Sequence, residues 1–303
     1  MRSPKYVEST LKELYSELYL KISNHNIHCF LCGAKKQPDD SNSNRGRIKK
    51  VLEENYNYKI LYAEDLFKNL VHNRSNNNYL DLENILANDS DVVIIVLESV
   101  GAFVELGAFV NRTELRDKLI VLMEIKYKND ESFLNQGPIK LLKSNKKNSV
   151  LYYSDINDTD TILKLKNVIK EFTRDPLISK HSNDLTSIIT LYYFLQYYFG
   201  VFSPVEFKEV LYHVQSIIGE TYTDLDDRIK SALYLLYNDG LVKKEKERFY
   251  VLTQNGYNKL KEIIMNNKFR FKDKCLPDKL RLSILNQKLR LNYSSYCDYY
   301  KIS

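Results

Sequence analysis

The 303-residue chain has no run of about 18 apolar residues, so no segment reads as a membrane-spanning helix. Its start, MRSPKYVESTLKELYSELYLKIS, is studded with Glu and Lys. It lacks the apolar core and small-residue cleavage site of a secretory signal, and a cytoplasmic protein is expected. Neither G-x-x-x-x-G-K nor G-x-G-x-x-G occurs, which leaves ATPase and ordinary dehydrogenase readings without support. The absence of G-x-S-x-G weighs against an α/β-hydrolase. Cysteine is scarce: Cys29, Cys32, Cys275 and Cys297. Cys29 and Cys32 form a C-x-x-C inside the strand-like HCFLCG. Zinc would need a second ligand pair at metal-like spacing, and a redox pair would open a helix, so two buried thiols are expected and no metal. The five histidines form no metal pattern either. A hydrophobic content of 44% with 28% charged residues fits a soluble globular protein long enough for two domains.

What is present is ordered. Residues 4–23 predict an amphipathic helix, with Val7, Leu11, Leu14, Leu18 and Ile22 at helical spacing. Then apolar runs alternate with helical patterns: IHCFLCGA, a helix through NRGRIKKVLEEN capped by Ser43, YKILYAE, a helix over YLDLENILAND, DVVIIVLES, a helix from Gly101 to about Arg112, KLIVLMEI, SVLYYSD and a closing helix over DTDTILKLKNVIKEFTRD. DVVIIVLES is apolar without alternation, as a strand covered on both faces should be. The pattern predicts a parallel five-stranded α/β sheet of Rossmann or flavodoxin-like class. Ligands in such sheets bind at the carboxyl ends of the strands, where Gly33, Ala34, Glu64, Glu98 and Ser99 lie.

Pro176 marks the expected boundary. Beyond it come an aromatic helix capped by Ser182, a helix with Ser203 as cap and Pro204 at its first position, and a helix TDLDDRIKSALYLLYNDG stopped by Gly240. Two short strands and another helix follow, with Leu233, Leu236, Gly240, Leu241, Val242, Lys244, Tyr250, Leu252, Thr253 and Gly256 in a pattern that reads as a winged helix-turn-helix. The expected domains are therefore 1–175, 176–265 and a basic, aromatic tail over 266–303. In that tail nine basic residues outnumber three acidic ones, an excess equal to the whole net charge of +6. A basic end on a neutral body suits a polyanion or an acidic partner surface.

The chemistry centres on VGAFVELGAF. On a helix, Glu105 shares a face with Gly101 and Ala102, while Phe103, Leu106 and Val110 share another that can pack on the sheet. Two small residues beside an acid leave room for a flat ligand, and the helix N-terminus should hold nearby acid ionised and attract phosphate. An ionised carboxylate beside a sugar can act as nucleophile or support an oxocarbenium-like transition state. The alternative is a solvated surface Glu. Basic Lys35, Lys36, Arg45 and Arg47, after the first strand, suit a pyrophosphate, or else an ordinary charged loop.

DVVIIVLESVGAFVELGAF resembles the nucleoside 2-deoxyribosyltransferase family over roughly residues 25–174. That resemblance makes Glu105 the nucleophile, with Gly101 and Gly107 matching the motif, Ala102 in place of the usual hydroxyl residue and Glu98 as the strand-end acid. Glu98 would orient the sugar or serve as acid/base. Gly33, Ala34, Ser99, Gly101 and Ala102 are then expected substrate contacts, beside Lys35, Arg45 and Arg47, which the basic loop suggests independently of the resemblance. Joined to a winged helix, this domain resembles the effector toxins of bacterial retrons. The resemblance implies an N-glycosidase acting on NAD or related nucleotides as substrate, without a cofactor, and restrained by a reverse transcriptase and its RNA–DNA hybrid. A homo- or hetero-oligomer fits that setting.

In the second domain the third helix opens with Asp224, Asp226 and Asp227, which would repel phosphates. Lys243, Lys244, Lys246 and Arg248 of the wing, and Arg270, Arg281 and Arg290 of the tail, are the candidate nucleic-acid or partner contacts. The tail can instead pack on its own domain through Leu280, Leu282, Ile284 and Leu285. Two other functions stay open: a catalytically silent nucleotide sensor that binds DNA, and a deoxyribosyltransferase of nucleoside salvage.

Overall fold

The computed structural model describes residues 5–22, 27–34, 42–56, 58–64, 79–174, 185–219, 222, 224–266, 273, 275–290 and 299. The chain forms two compact units: His25–His181 is one, and Met1–Asn24 joins Ser182–Ser303 in the other. The first helix, α1, is α-helical over Lys5–Glu13, passes through a π-helical segment Leu14–Tyr19 and ends in the turn Leu20–Ile22. The sequence grouped it with the α/β part. It belongs instead to the second unit, where Tyr19 donates its hydroxyl to the Thr190 carbonyl at 3.2 Å and sets its ring against Phe194 at 5.6 Å. An apolar stripe shows that a helix is covered, but not by what.

In the α/β unit, β1 (His28–Cys32), β2 (Lys59–Leu61), β3 (Val92–Val96), β4 (Leu119–Glu124) and β5 (Val150–Tyr153) form one parallel sheet in the order β2-β1-β3-β4-β5. Every residue of β3 is buried, because helices cover both faces of a parallel sheet. Cys29 and Leu31 point to the face covered by Ile48 and Leu52 of α2 (Asn44–Tyr56), and by Leu165, Ile169 and Phe172 of α7 (Thr159–Thr173). Phe30 points the other way, its ring 6.2 Å from that of Phe109. That second face carries α3 (Tyr79–Asp89) and α4 (Val100–Val110). After the short α5 (Thr113–Arg116), the β4–β5 crossover runs through a π-helical turn, Asn135–Ile139, into α6 (Lys140–Asn145), which seats buried Ile139 and Leu142. From β1 the chain winds outward to β2 and then back across to β3. The strand order therefore reverses between β1 and β3, the place where such sheets leave a crevice for a ligand.

The second unit builds on α8 (Ile188–Phe202), buried along most of its length. Its cap is Ser187, whose hydroxyl accepts from the Ile189 N–H at 3.2 Å, while Ser182 lies outside the described residues. The next stretch departs from the sequence reading. Pro204 does not open a helix: Val205–Glu206 is a strand, β6, and α9 (Phe207–Ile218) starts only after Glu206, whose backbone N–H the Glu209 side chain caps at 2.9 Å. Then come α10 (Leu225–Asn238), β7 (Val242–Glu245), β8 (Phe249–Leu252), α11 (Gln254–Asn266) and α12 (Leu276–Arg290). The strands make an antiparallel sheet in the order β6-β8-β7. Gly240 ends α10 at φ +66°, a left-handed conformation that side chains resist. At Gly256 a Cβ would lie 2.1 Å from the Leu241 carbonyl oxygen, so only glycine lets α11 approach β7 so closely.

The tail helix α12 packs within its own unit. Leu276, Leu280 and Ile284 are buried, whereas Leu282 is exposed. Lys288 is also buried and donates to the Phe202 and Pro204 carbonyls at 2.8 and 3.1 Å; Arg281 donates to those of Val201, at 2.9 Å, and Ser203. Two cations thus satisfy carbonyls that α8 leaves unpaired at its C-terminal end.

Candidate active site

The acids of the α/β unit gather at the carboxyl ends of β1 and β3. Chain exits β1 at Gly33, where an added Cβ would sit 3.3 Å from Val96 Cβ and 3.5 Å from Glu98 Oε1, so the two strand ends approach closely only without a side chain. Glu98 follows β3. Its Oε1 accepts the Ala34 N–H at 3.2 Å and its Oε2 accepts from Asn44 Nδ2 at 2.6 Å, so this carboxylate is fixed between the β1 loop and α2. Ser99 caps α4, accepting the Ala102 N–H at 3.2 Å. The Tyr153 hydroxyl is enclosed nearby, and burial, then the charges of Glu98 and Glu124, push its pKa up to about 12.

Glu105 lies one turn into α4. The helix sets Ala102, Leu106, Phe109 and Val110 against the sheet, a stripe rotated from the one expected: Phe103 is 44% exposed, with Val100 and Val104 beside it more exposed still. Glu105 shares the inward side with Ala102 and Phe109. Its Oε2 is buried and has no hydrogen-bond partner among the described residues. Burial pushes its pKa up to about 7; the charge of Glu83 adds to the rise, as does Glu64, while the Cys32 thiol and Arg45 pull it down. The expectation that the helix N-terminus keeps this acid ionised is thus corrected. The carboxyl is surrounded by like charge and little water, and these outweigh the dipole. Burial raises Glu83 as well, with Glu64 adding to it, and raises the Cys32 thiol well above its ordinary range.

The structure sorts the expected substrate residues. Gly33, Ala34, Glu98, Ser99, Ala102 and Glu105 come together at the switch point. Gly101 is exposed, with Ser99 Oγ 4.0 Å from where a Cβ would stand, so that side of α4 is bare. Arg45 does not face outward for a phosphate. It is buried, its Nη1 bonds Glu64 Oε1 at 2.9 Å and the Gly33 carbonyl at 3.4 Å, and its guanidinium lies 4.5 Å over the Tyr62 ring. Arg47 is half-buried on α2, and Lys35 lies outside the described residues. Glu83 was not singled out from the sequence. Its signal was available: it shares a helical face with Leu86 and Ala87, both buried, and an acid on an apolar stripe is out of place. Cys29 and Cys32 are free buried thiols. Among the described residues no group of His, Cys, Asp and Glu is placed to hold a metal ion.

In the second unit most of the expected contacts are engaged within the chain. Lys243 pairs with Glu245 at 2.5 Å, Arg248 lies 3.5 Å from Glu206, and Lys246 donates to the Tyr299 carbonyl and lies 4.8 Å over its ring. Arg281 is committed to the end of α8, which corrects its reading as a partner contact. Lys244 and Arg290 face outward, and Arg270 is outside the described residues. The acids opening α10 are offset one turn on, Asp224 by Arg228 at 3.1 Å and Asp226 by Lys230 at 2.6 Å.

Fold and site together define a parallel α/β protein with a carboxyl at its topological switch point, one oxygen of which is buried without a hydrogen-bond partner among the described residues, joined to a mainly helical unit. The family model of the STM3845 retron effector protein matches residues 41–244, and the chain belongs to that family. Two relatives from Escherichia coli carry the names "Retron Ec86 putative ribosyltransferase/DNA-binding protein", 37% identical over 151 residues, and its retron Ec73 counterpart, 35% identical over 153 residues. The matched segments cover 48% and 49% of this chain, and 48% of each relative, so the chain spans about half the length of the curated relatives it matches. No helix among the described residues is long and apolar enough to cross a membrane.

Proposed function

We propose that this retron effector is an N-glycosidase that cleaves the ribosyl–base bond of NAD or a related nucleotide, with Glu105 as the nucleophile. The observation that carries the reading is the buried Oε2 of Glu105, which has no hydrogen-bond partner among the described residues. The Cys32 thiol is the one donor that lowers its pKa, so this buried carboxylate is weakly stabilised, and such a group reacts readily with an electrophilic carbon. Its lone pair forms a bond to the anomeric carbon while the N-glycosidic electron pair leaves with the base. Nicotinamide departs neutral and needs no proton. A purine would need one, and Glu83, the acid whose charge acts most strongly on Glu105, is assigned to give it. Water then attacks the anomeric carbon, its proton passing to solvent or, where a purine has left, back to the Glu83 carboxylate, and the ester bond breaks to free the Glu105 carboxylate. Glu98, with both oxygens already accepting, orients sugar hydroxyls rather than carrying the proton. The ribosyltransferase names of the relatives support this class of chemistry.

The second unit has a helix, a strand, two helices and a hairpin, with the hairpin's second strand paired to the first. This order supports the winged-helix reading. We assign to this unit the contact with a reverse transcriptase and its RNA–DNA hybrid, whose phosphates the exposed Lys244 and Arg290 would meet on its surface. The test is direct: purified protein is incubated with NAD, and free nicotinamide is measured by chromatography. The wild type releases nicotinamide and Glu105→Gln does not; equal release by both would overturn the proposal.

A further inference from the structure

The second unit contains a cavity of about 640 Å³ that neither the glycosidase chemistry nor the nucleic-acid reading uses. Its walls come from Phe199 and Val201 of α8 and from Leu260 and Ile264 of α11, and Tyr257 and Met265 stand at its mouth, each about half exposed. The void does not come from loose packing. At Gly200, in the same wall, a Cβ would be 2.3 Å from Leu260 Cδ2, so α8 and α11 are in full contact beside it. The volume falls in the range of small-molecule sites, as does an apolar lining with a few polar groups.

The polar groups fix the ligand class. Lys261 of α11 and Arg281 of α12 both line the cavity, and Asp278, one turn before Arg281, is the single acid among the described lining residues. Lys261 is exposed and makes no ion pair among the described residues, whereas the next lysine on the helix, Lys259, lies 3.4 Å from Glu262. Arg281 is held in place by the carbonyls it bonds. A net positive rim over an apolar well fits a molecule with an apolar body and one anionic head. We infer that this cavity binds a small amphipathic anion, its body between α8 and α11 and its head at Lys261.

The full-length protein is titrated with 8-anilinonaphthalene-1-sulfonate, whose emission rises in an apolar site, and the dye is then competed with decanoate or with decyltrimethylammonium. One saturable site is expected, displaced by decanoate and not by the cation. Lys261→Glu should weaken dye binding at least tenfold, Lys259→Glu should leave it within twofold, and Ile264→Trp, which fills the well, should abolish it. Lys261 is exposed, so its reversal leaves the fold intact and decides the matter even if the tryptophan variant does not fold. Absence of a saturable site, displacement by the cation, or equal binding by the Lys261 and Lys259 variants would each overturn the inference.

Discussion

Replacing Glu105 by Gln should stabilise the α/β unit, but only above the pH at which this acid ionises in the unfolded chain. Burial and the neighbouring acids hold the Glu105 carboxyl at about 7, against an ordinary 4.5. A folded-state pKa raised above the unfolded value means that the native state binds the extra proton between those limits. Unfolding free energy therefore falls as pH rises from 4.5 to about 7, and the full penalty persists above it. At about 1.4 kcal/mol per pH unit, the penalty is at most roughly 3 kcal/mol. Glutamine keeps the shape and cannot ionise. Wild type and Glu105→Gln should be equally stable near pH 4, and the variant should be more stable by up to about 3 kcal/mol at pH 8. The assay is urea unfolding by circular dichroism from pH 4 to 8.5, with hydrogen exchange of the β3 amides reporting the α/β unit separately. Parallel stability–pH curves for the two proteins would refute the reasoning, because they would mean that Glu105 ionises in water. The same side chain would then gain stability and lose activity in one substitution, as expected where a site stores an unfavourable charge.

Three further outcomes follow from the same geometry. Glu83→Gln removes the charge that most opposes ionisation of Glu105, so the acid limb of the kcat/KM profile for nicotinamide release should move to lower pH, read from rates between pH 5 and 8. Lys288→Met leaves the Phe202 and Pro204 carbonyls without their buried donor and should destabilise the second unit by about 1–3 kcal/mol, with faster proteolysis of α12. Gly256→Ala forces a Cβ to within 2.1 Å of the Leu241 oxygen; this backbone clash should lower stability by about 3 kcal/mol or more, seen as a drop in Tm.

Much of this architecture was legible in the residues. Uninterrupted, β-branched apolar runs such as VVIIV and LIVLM fit strands covered on both faces, and their alternation with helical patterns left few arrangements besides a parallel sheet. The acids at the strand ends followed from that. Other features depend on what packs against what. The stripe of α1 was visible, but its cover, Phe194 and Tyr197 of α8, is remote in sequence. Strand β6 is two residues long, too short to show a period, and exists because Val205 and Glu206 pair with Tyr250 and Phe249. The rotation of α4, which exposes Phe103 and buries Phe109, is set by the ring of Phe30 on β1. For Glu105, spacing indicated a face with room beside it. The raised pKa, in contrast, arises from burial and then from Glu83 and Glu64, acids on other elements that only the fold brings near. Charge runs misled in the second unit for a similar reason: Arg281 and Lys288 look solvated in sequence, yet both end on the carbonyls of α8.

The most direct test of the central claim is to trap the bond that Glu105 is proposed to form. The wild-type protein is incubated with an NAD analogue carrying fluorine in place of the sugar 2′-hydroxyl, which slows hydrolysis of a glycosyl–enzyme ester, and its intact mass and peptide masses are measured. One sugar-containing adduct per chain, on the peptide that includes Glu105 and missing from Glu105→Gln, is the predicted result. Turnover of NAD with no adduct on that peptide, or an adduct of equal yield in the variant, would contradict the account.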